Sequence, residues 1–307
     1  MTNLPDVGLS ARVPSLDLTS FGPELDELQG YGVTSVEIPT FDMDIVIGAK
    51  ILRDRLALLK STCADRGLVY SVHGPLSLNL MDEPWRLPHH MKVLRASLEV
   101  AAELGAENYV LHGGLMRQQQ ATGVEDGYAR QREALAQAGD IARDLGLYIC
   151  VETMFAGYHG MNVTASPARL AQELAALAHP NVAATLDVSH AYLKLTYDGR
   201  REDFLAELAV LSPWARHVHL HDSFGLQDDI WMYNDSERVV YGHGDLHLPM
   251  GWGDIPWSAI MAGCAFPRGA VFNLEMKPRF WHAVPESVAA AKALAAKARL
   301  VAPPLAV

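Results

Sequence analysis

Asp245 and His247 lie two residues apart in GHGDLHLPMGWGDIPW (residues 242–257), and both are of types that hold metal ions. By itself the stretch also reads as a polar loop, turned by its four glycines and two prolines. Metal-capable side chains recur at the ends of apolar runs elsewhere. His73 closes LVYSVH, His112 closes NYVLH, Glu152 closes LYICVE, Asp187 closes VAATLD and Glu275 closes VFNLE. His219 lies within HVHLHD, where His217, His219 and His221 alternate and share one strand face. The spacing does not choose among those three. A lone His at a strand end is more often a hydrogen-bonded structural residue, and a lone Asp or Glu there often caps the next helix. Glu37, at the end of SVEIP, reads that way first. The joint pattern differs, because clustered buried carboxylates and imidazoles are costly unless a cation joins them. Mixed carboxylate and imidazole ligands suit Zn, Mn, Fe or Co better than Ca or Mg.

The elements that must position these residues follow from periodicity. Eight short apolar runs read as strands: 7–11, 35–39, 68–73, 108–112, 147–152, 182–187, 217–222 and 271–275. Helix-like stretches separate them, among them 50–67, 90–105, 128–146, 166–178, 201–211 and 285–300. Ser166 stands where an N-cap belongs, with Pro167 in the first turn. Gly67, Gly105 and Gly146 follow helical patterns as C-terminal glycines do. Strict alternation of strand and helix predicts an α/β fold, a (β/α)8 barrel forming one domain over 1–307. An open doubly wound sheet is the structural alternative, although no GxGxxG follows the first strand. In a barrel the strand ends converge on the C-terminal rim, where active sites of this fold lie. The one long interruption, 222–255, falls between strand seven and helix seven, and such a length is usually functional or mobile. Trp231, Trp252 and Trp257 lie in or beside it. Indole stacks on sugar rings, but it also anchors loops, and Trp257 reads as an anchor because PW opens a helix.

With 36 acidic against 25 basic side chains, a net charge of −11 argues against a general affinity for nucleic acid. Three scattered Cys read as buried thiols of a reducing compartment. The N-terminus lacks a signal-peptide pattern and no run of 18 apolar residues occurs, so a cytoplasmic protein without a membrane span is expected. Thirteen His is a high count for 307 residues and suits metal chemistry.

Over roughly residues 7–300 the chain resembles the xylose-isomerase-like TIM barrels, the superfamily of sugar isomerases and epimerases, inosose dehydratases and endonuclease IV. VHGPLSLNL (72–80) resembles the endonuclease IV segment HAPYxxNL, VLHGG (110–114) its HPG turn, and VETMFAG (151–157) its LENxAG stretch. LDVSHAYLKLTYD (186–198) resembles DxxH…GYD, HLHDS (219–223) resembles HLNDS, GDLHLPMGWGDI resembles DRHxxIGxGxI, and LEMKP (274–278) resembles LETP. This resemblance implies up to three divalent ions, zinc or manganese. One would take His73, His112 and Glu152. A second would share Glu152 with Asp187, His219 and Glu275. The third would take His190, Asp245 and His247. It also selects His219 over its two neighbours and implies that glycines of GWG turn the loop near the metals. The departures weaken a DNA-directed reading: Leu76 replaces the Tyr after HAP, and FDMDIVIG is acidic. Near the rim only Lys194, Arg238, Lys277 and Arg279 add positive charge, a poor phosphate track.

Two activities follow from the resemblance. The first is hydrolysis of a small phosphate ester of a sugar or polyol at a trinuclear site. The second is isomerisation, epimerisation or inosose-type dehydration of a sugar or sugar phosphate at one metal held by Glu152, Asp187, His219 and Glu275. There the two Glu move a proton as acid and base and His190 touches substrate. Lys277, Arg279, Trp252 and His221 are the expected substrate contacts. Abasic-site DNA cleavage is the weaker third reading. Barrels of this type often pair through their helices, so a homo-oligomer is an expectation.

Overall fold

A computed structural model describes residues 4–117, 123–156 and 161–304, so Gly157 of the VETMFAG motif lies outside the described residues. Eight parallel strands close a barrel: β1 (Asp6–Ser10), β2 (Ser35–Pro39), β3 (Val69–His73), β4 (Asn108–His112), β5 (Tyr148–Glu152), β6 (Val182–Asp187), β7 (Ala215–Leu220) and β8 (Val271–Leu274). Each pairs with the next in sequence, and β8 pairs with β1, which rules out the open sheet. All six residues of β6 are buried, as a strand between a filled interior and an outer helical layer requires.

The helices are α1 (Phe21–Gly30), α2 (Arg53–Cys63), α3 (Leu87–Glu103), α4 (Val124–Leu145), α5 (Pro167–Leu177), α6 (Val188–Tyr197), α7 (Phe204–Leu211), α8 (Asp235–Tyr241), α9 (Trp257–Gly263) and α10 (Val284–Ala295). Ser166 caps α5, its side chain accepting from the Arg169 amide, and Gly105 and Gly146 take the expected positive φ of 71° and 77°. Cys63, Cys150 and Cys264 are buried free thiols. Among the described residues no helix is long and apolar enough to cross a membrane.

Strands one, three and five differ from expectation by one residue, and two other differences bear on the rim. β7 covers 215–220 rather than 217–222, because Asp222 leaves the barrel ladder to bridge Leu248. β8 ends at Leu274, and Glu275 follows it with its amide still donating to the Leu220 carbonyl at 3.2 Å.

Register brings the strand ends level. His112 stands beside Glu152 across β4 and β5, and Asp187 beside His219 across β6 and β7. The excursion 222–255 then folds back through Asp222. Its carboxylate accepts from the amides of Ser223, Gly251 and Ile255 and from the Trp257 indole, at 2.8–3.3 Å. Gly251 has φ of 87°, and a Cβ on Gly253 would lie 2.3 Å from the Ser223 carbonyl oxygen. The GWG glycines thus serve a turn packed on Asp222, not one packed on the strand-end carboxylates.

Candidate metal centre

Four side chains from consecutive strands converge on one point of the rim. The Nδ1 atom of His219 lies 3.5 Å from Glu152 Oε1, 3.5 Å from Asp187 Oδ2 and 3.3 Å from Glu275 Oε2. The other ring nitrogen is already engaged, with Nε2 3.1 Å from Glu37 Oε2. Glu37 therefore fixes the tautomer that leaves Nδ1 as the free lone pair, the arrangement that orients metal-ligating imidazoles. Ser10 donates to the other Glu37 oxygen at 3.0 Å, and Asn273 donates to Ser10 at 2.8 Å. This column fills the barrel interior beneath the rim, with Asn273 packed over Gly8, where a Cβ would meet Asn273 Oδ1 at 2.8 Å. His217 also reaches Glu37 Oε2, at 2.9 Å but out of line for a hydrogen bond.

Beside this group stands a second one. His73 and His112 each point Nε2 at Glu152 Oε2, at 3.5 and 3.7 Å. Their Nδ1 atoms hydrogen-bond the carbonyls of Gly74 and Leu76, so both Nε2 lone pairs are left for a ligand. On the far side, Asp187 does two things at once. Its Oδ1 caps α6 by accepting from the His190 amide at 2.7 Å, while Oδ2 faces His219 and accepts from His221 Nε2 at 3.0 Å. Asp187 thus caps a helix with one oxygen and still presents the other to the strand-end group.

The third group joins loop to barrel. His190 Nε2 lies 3.6 Å from Asp245 Oδ2, and His247 Nε2 lies 2.7 Å from the same oxygen. The Nδ1 atoms of these two His go to the carbonyls of Thr153 and Glu275. His247 adopts φ of 49°, a left-handed conformation uncommon outside glycine.

The electrostatics follow from this packing. Burial alone would raise the carboxylates, but His219, His112 and His190 hold Glu152 well below its ordinary range, and His219 and His217 do the same for Glu37. Burial likewise opposes charge on His73 and His247, yet Glu152 and Asp245 respectively lift them to about 9. His112 goes the other way, driven to about 4 mainly by burial. A cation fits this set. Glu152 Oε2, His190 Nε2, His219 Nδ1, His221 Nδ1 and Asp245 Oδ1 are buried without a hydrogen-bond partner, and all are of types that can ligate a metal.

All nine residues of the expected ligand set therefore meet at the rim in three contiguous groups. The expected substrate contacts fare differently. His221 is fully buried and stacks on His247 at 4.1 Å, among the ligand-type residues rather than facing an open space. Trp252 packs edge-on against Phe280 and donates to Glu286, which places it against the β8–α10 segment. Lys277 donates to the Asp245 carbonyl at 2.7 Å, and the Arg279 guanidinium lies 5.2 Å above the Phe280 ring. Of the other rim cations, Lys194 pairs with Asp198 and Arg238 with Asp228 and Asp235. The residue the sequence undervalued is Glu37. Its signal was the one used for Glu152, an acid closing an apolar strand.

The comparisons agree with this architecture. The profile of the family described as "Xylose isomerase-like TIM barrel" matches residues 25–296. An uncharacterized protein of Methanocaldococcus jannaschii is 27% identical over 160 residues, 52% of this chain, so the match spans 49% of that relative's length. A D-tagatose 3-epimerase-like protein superposes with a TM-score of 0.66 at 20% identity, covering 94% of this chain and 96% of that one. Endonuclease IV from Thermus thermophilus superposes with a TM-score of 0.62 at 23% identity, covering 96% and 100%. Other sugar epimerases are among the similar structures, and one neighbour was soaked with ZnCl2. At these identities the structural likeness speaks for the fold. The matched profile covers most of the chain, and this protein belongs to the xylose isomerase-like TIM barrel family.

Proposed function

We propose that this protein is a divalent-metal-dependent isomerase or epimerase of a sugar, moving a proton at a carbon beside a carbonyl. The observation that carries this reading is the convergence of Glu152, Asp187 and Glu275 on the unpartnered His219 Nδ1, with Glu37 holding the ring. Those four residues would hold the ion. When bound, it would polarise the substrate carbonyl and acidify the adjacent C–H.

The chain's own residues then supply the proton transfers. Glu152 is buried at the floor, whereas the Glu275 side chain is 23% exposed and stands at the open side. Two carboxylates at different depths of one site can take a proton from one face of a carbon and return it on the other. His112, kept neutral by burial, can hydrogen-bond a sugar hydroxyl without adding charge. The scarcity of free cations at the rim suits an uncharged sugar, since Lys277, Lys194 and Arg238 are already bonded. That several similar structures are sugar epimerases supports the same reading.

Hydrolysis of a phosphate ester rests on a different observation, the two further ligand-type groups flanking the strand-end one. Lys277, Lys194 and Arg238 are already bonded rather than free for a transferring phosphoryl group, so we place it second. The test is solvent exchange. Protein loaded with Mn, Co or Zn is incubated in D2O with a panel of ketoses and followed by NMR. Deuterium entering beside the carbonyl, and lost in Glu275→Gln, is the expected result. Hydrolysis of phosphate mono- or diesters by the same protein, with no exchange into any ketose, overturns the proposal.

A further inference from the structure

We propose that His221 joins His190, Asp245 and His247 as a fourth ligand and makes the loop-borne group a cation site of a different kind: closed, four-coordinate and structural, clasping the 222–255 excursion to the barrel. It stands whichever reaction the strand-end group performs. Each of the four residues offers one donor atom, and all four atoms lie within 4.8 Å of one another. They come from three places: His190 from α6, His221 from just beyond β7, and Asp245 and His247 from the excursion.

Ring by ring, the outer hydrogen bonds turn the inward nitrogens towards Asp245, which His247 Nε2 already hydrogen-bonds at 2.7 Å. Thr153 and Glu275 carbonyls take Nδ1–H of His190 and His247, which leaves both Nε2 atoms facing Asp245. Asp187 takes His221 Nε2–H, which leaves His221 Nδ1 facing Asp245 Oδ1 at 4.0 Å. His190 Nε2, His221 Nδ1 and Asp245 Oδ1 have no hydrogen-bond partner, and His221 is entirely removed from solvent. Three buried, unpartnered polar atoms aimed at one another are costly without a ligand.

His221 is what changes the character of the site. Three protein ligands leave a zinc ion an open position for water or substrate, whereas four complete a tetrahedron, the mark of a structural site. The donor set of three imidazoles and a carboxylate suits zinc or cobalt. Joint ligation by His221 and His247 would require the His247 ring to tilt out of its 6° stack on His221, since one ion cannot lie in the planes of two parallel rings. His247 sits on the excursion, in a strained backbone conformation that such a clasp would hold.

The experiment uses the metal-free full chain titrated with Co(II). His112→Asn/His219→Asn disables the two strand-borne groups and isolates the clasp. The expected result is the intense visible absorption of four-coordinate Co(II) in wild type and in this double variant. When His221→Asn or His247→Asn is added to the double variant it is absent, with affinity at the clasp down at least about 100-fold, beyond the loss an outer-shell change gives. Metal removal should also raise the rate of trypsin cleavage after Arg238, the sole Lys or Arg between residues 222 and 255, by at least about tenfold. Absorption that survives His221→Asn in the double variant, or that is missing from the double variant itself, overturns the proposal. If the protein carrying His221→Asn does not fold, X-ray absorption on the cobalt-loaded double variant decides: three imidazoles at the ion support a closed site, and two or fewer refute it.

Discussion

The rim holds two kinds of ligand group, and they are built differently. Glu152, Asp187, His219 and Glu275 are carried at or just past the ends of adjacent parallel strands, so the barrel ladder fixes their spacing before any ion arrives. Asp245 and His247 are carried by an excursion and reach the rim only because Asp222, Gly251 and Gly253 fold it back. The first group has an exposed member, Glu275, and an outer partner, Glu37, that sets a ring tautomer. The second has a fully buried fourth donor, His221. Preorganisation on strands suits proton transfer, where small displacements are costly. A group assembled from a loop suits an ion whose binding energy holds that loop in place.

Breaking the strand-end group should give the largest effect. Glu275→Gln keeps shape and removes a proton carrier, and exchange into the ketose should fall about 10²–10⁴-fold with the circular dichroism unchanged. Glu37→Gln sharpens the contrast one step further out. It frees the His219 ring, and metal affinity at the strand-end group should fall about 10–100-fold, with activity largely restored by excess metal. A loss that excess metal does not restore would give Glu37 a direct part in the chemistry. Asp222→Asn breaks the excursion instead. It leaves amide and indole donors unpaired, at about 1–3 kcal/mol each, and should lower the melting temperature while changing the exchange rate little.

The smallest effect is in pH dependence. His73 and His247 titrate near 9 in the folded metal-free protein, against 6.5 when unfolded. A raised folded value gives stability that is complete below pH 6.5 and is lost as pH rises towards 9. Glu37, Glu152 and Asp245 are depressed, so their contribution is present above the ordinary carboxylate range and lost as pH falls through it. Chelated protein should therefore melt at lower temperature at pH 9 than at pH 6.5. Metal-loaded protein should not show that decline, because the ion replaces the protons. Parallel melting curves for the two forms would contradict the assignment of these imidazoles to the metal centre.

The strand-borne half of the centre was legible in sequence, because an acid or His closing an apolar run is costly unless something binds it. The alternation of those runs with helical stretches gave the barrel, and the strand ends then shared one rim. The loop-borne half was legible only through motif resemblance, since Asp245 and His247 sit in no periodic element. His221 was expected as a substrate contact, and its place in the loop-borne group was out of reach for a physical reason. Its neighbours His217 and His219 have the same parity, and only the departure of Asp222 from the ladder turns His221 towards the loop group rather than down the barrel. Glu37 carried a readable signal, but its partner His219 lies 182 residues away and no local pattern links them.

The most direct test sets the two regions side by side: solvent deuterium exchange into a ketose, at saturating metal, in His219→Asn and in His247→Asn. His219→Asn should abolish exchange, whereas His247→Asn should loosen the excursion and lower the rate by no more than about tenfold, the low end of an outer-shell change. Loss of exchange in His247→Asn with retention in His219→Asn would contradict this and move the chemistry to the loop-borne group.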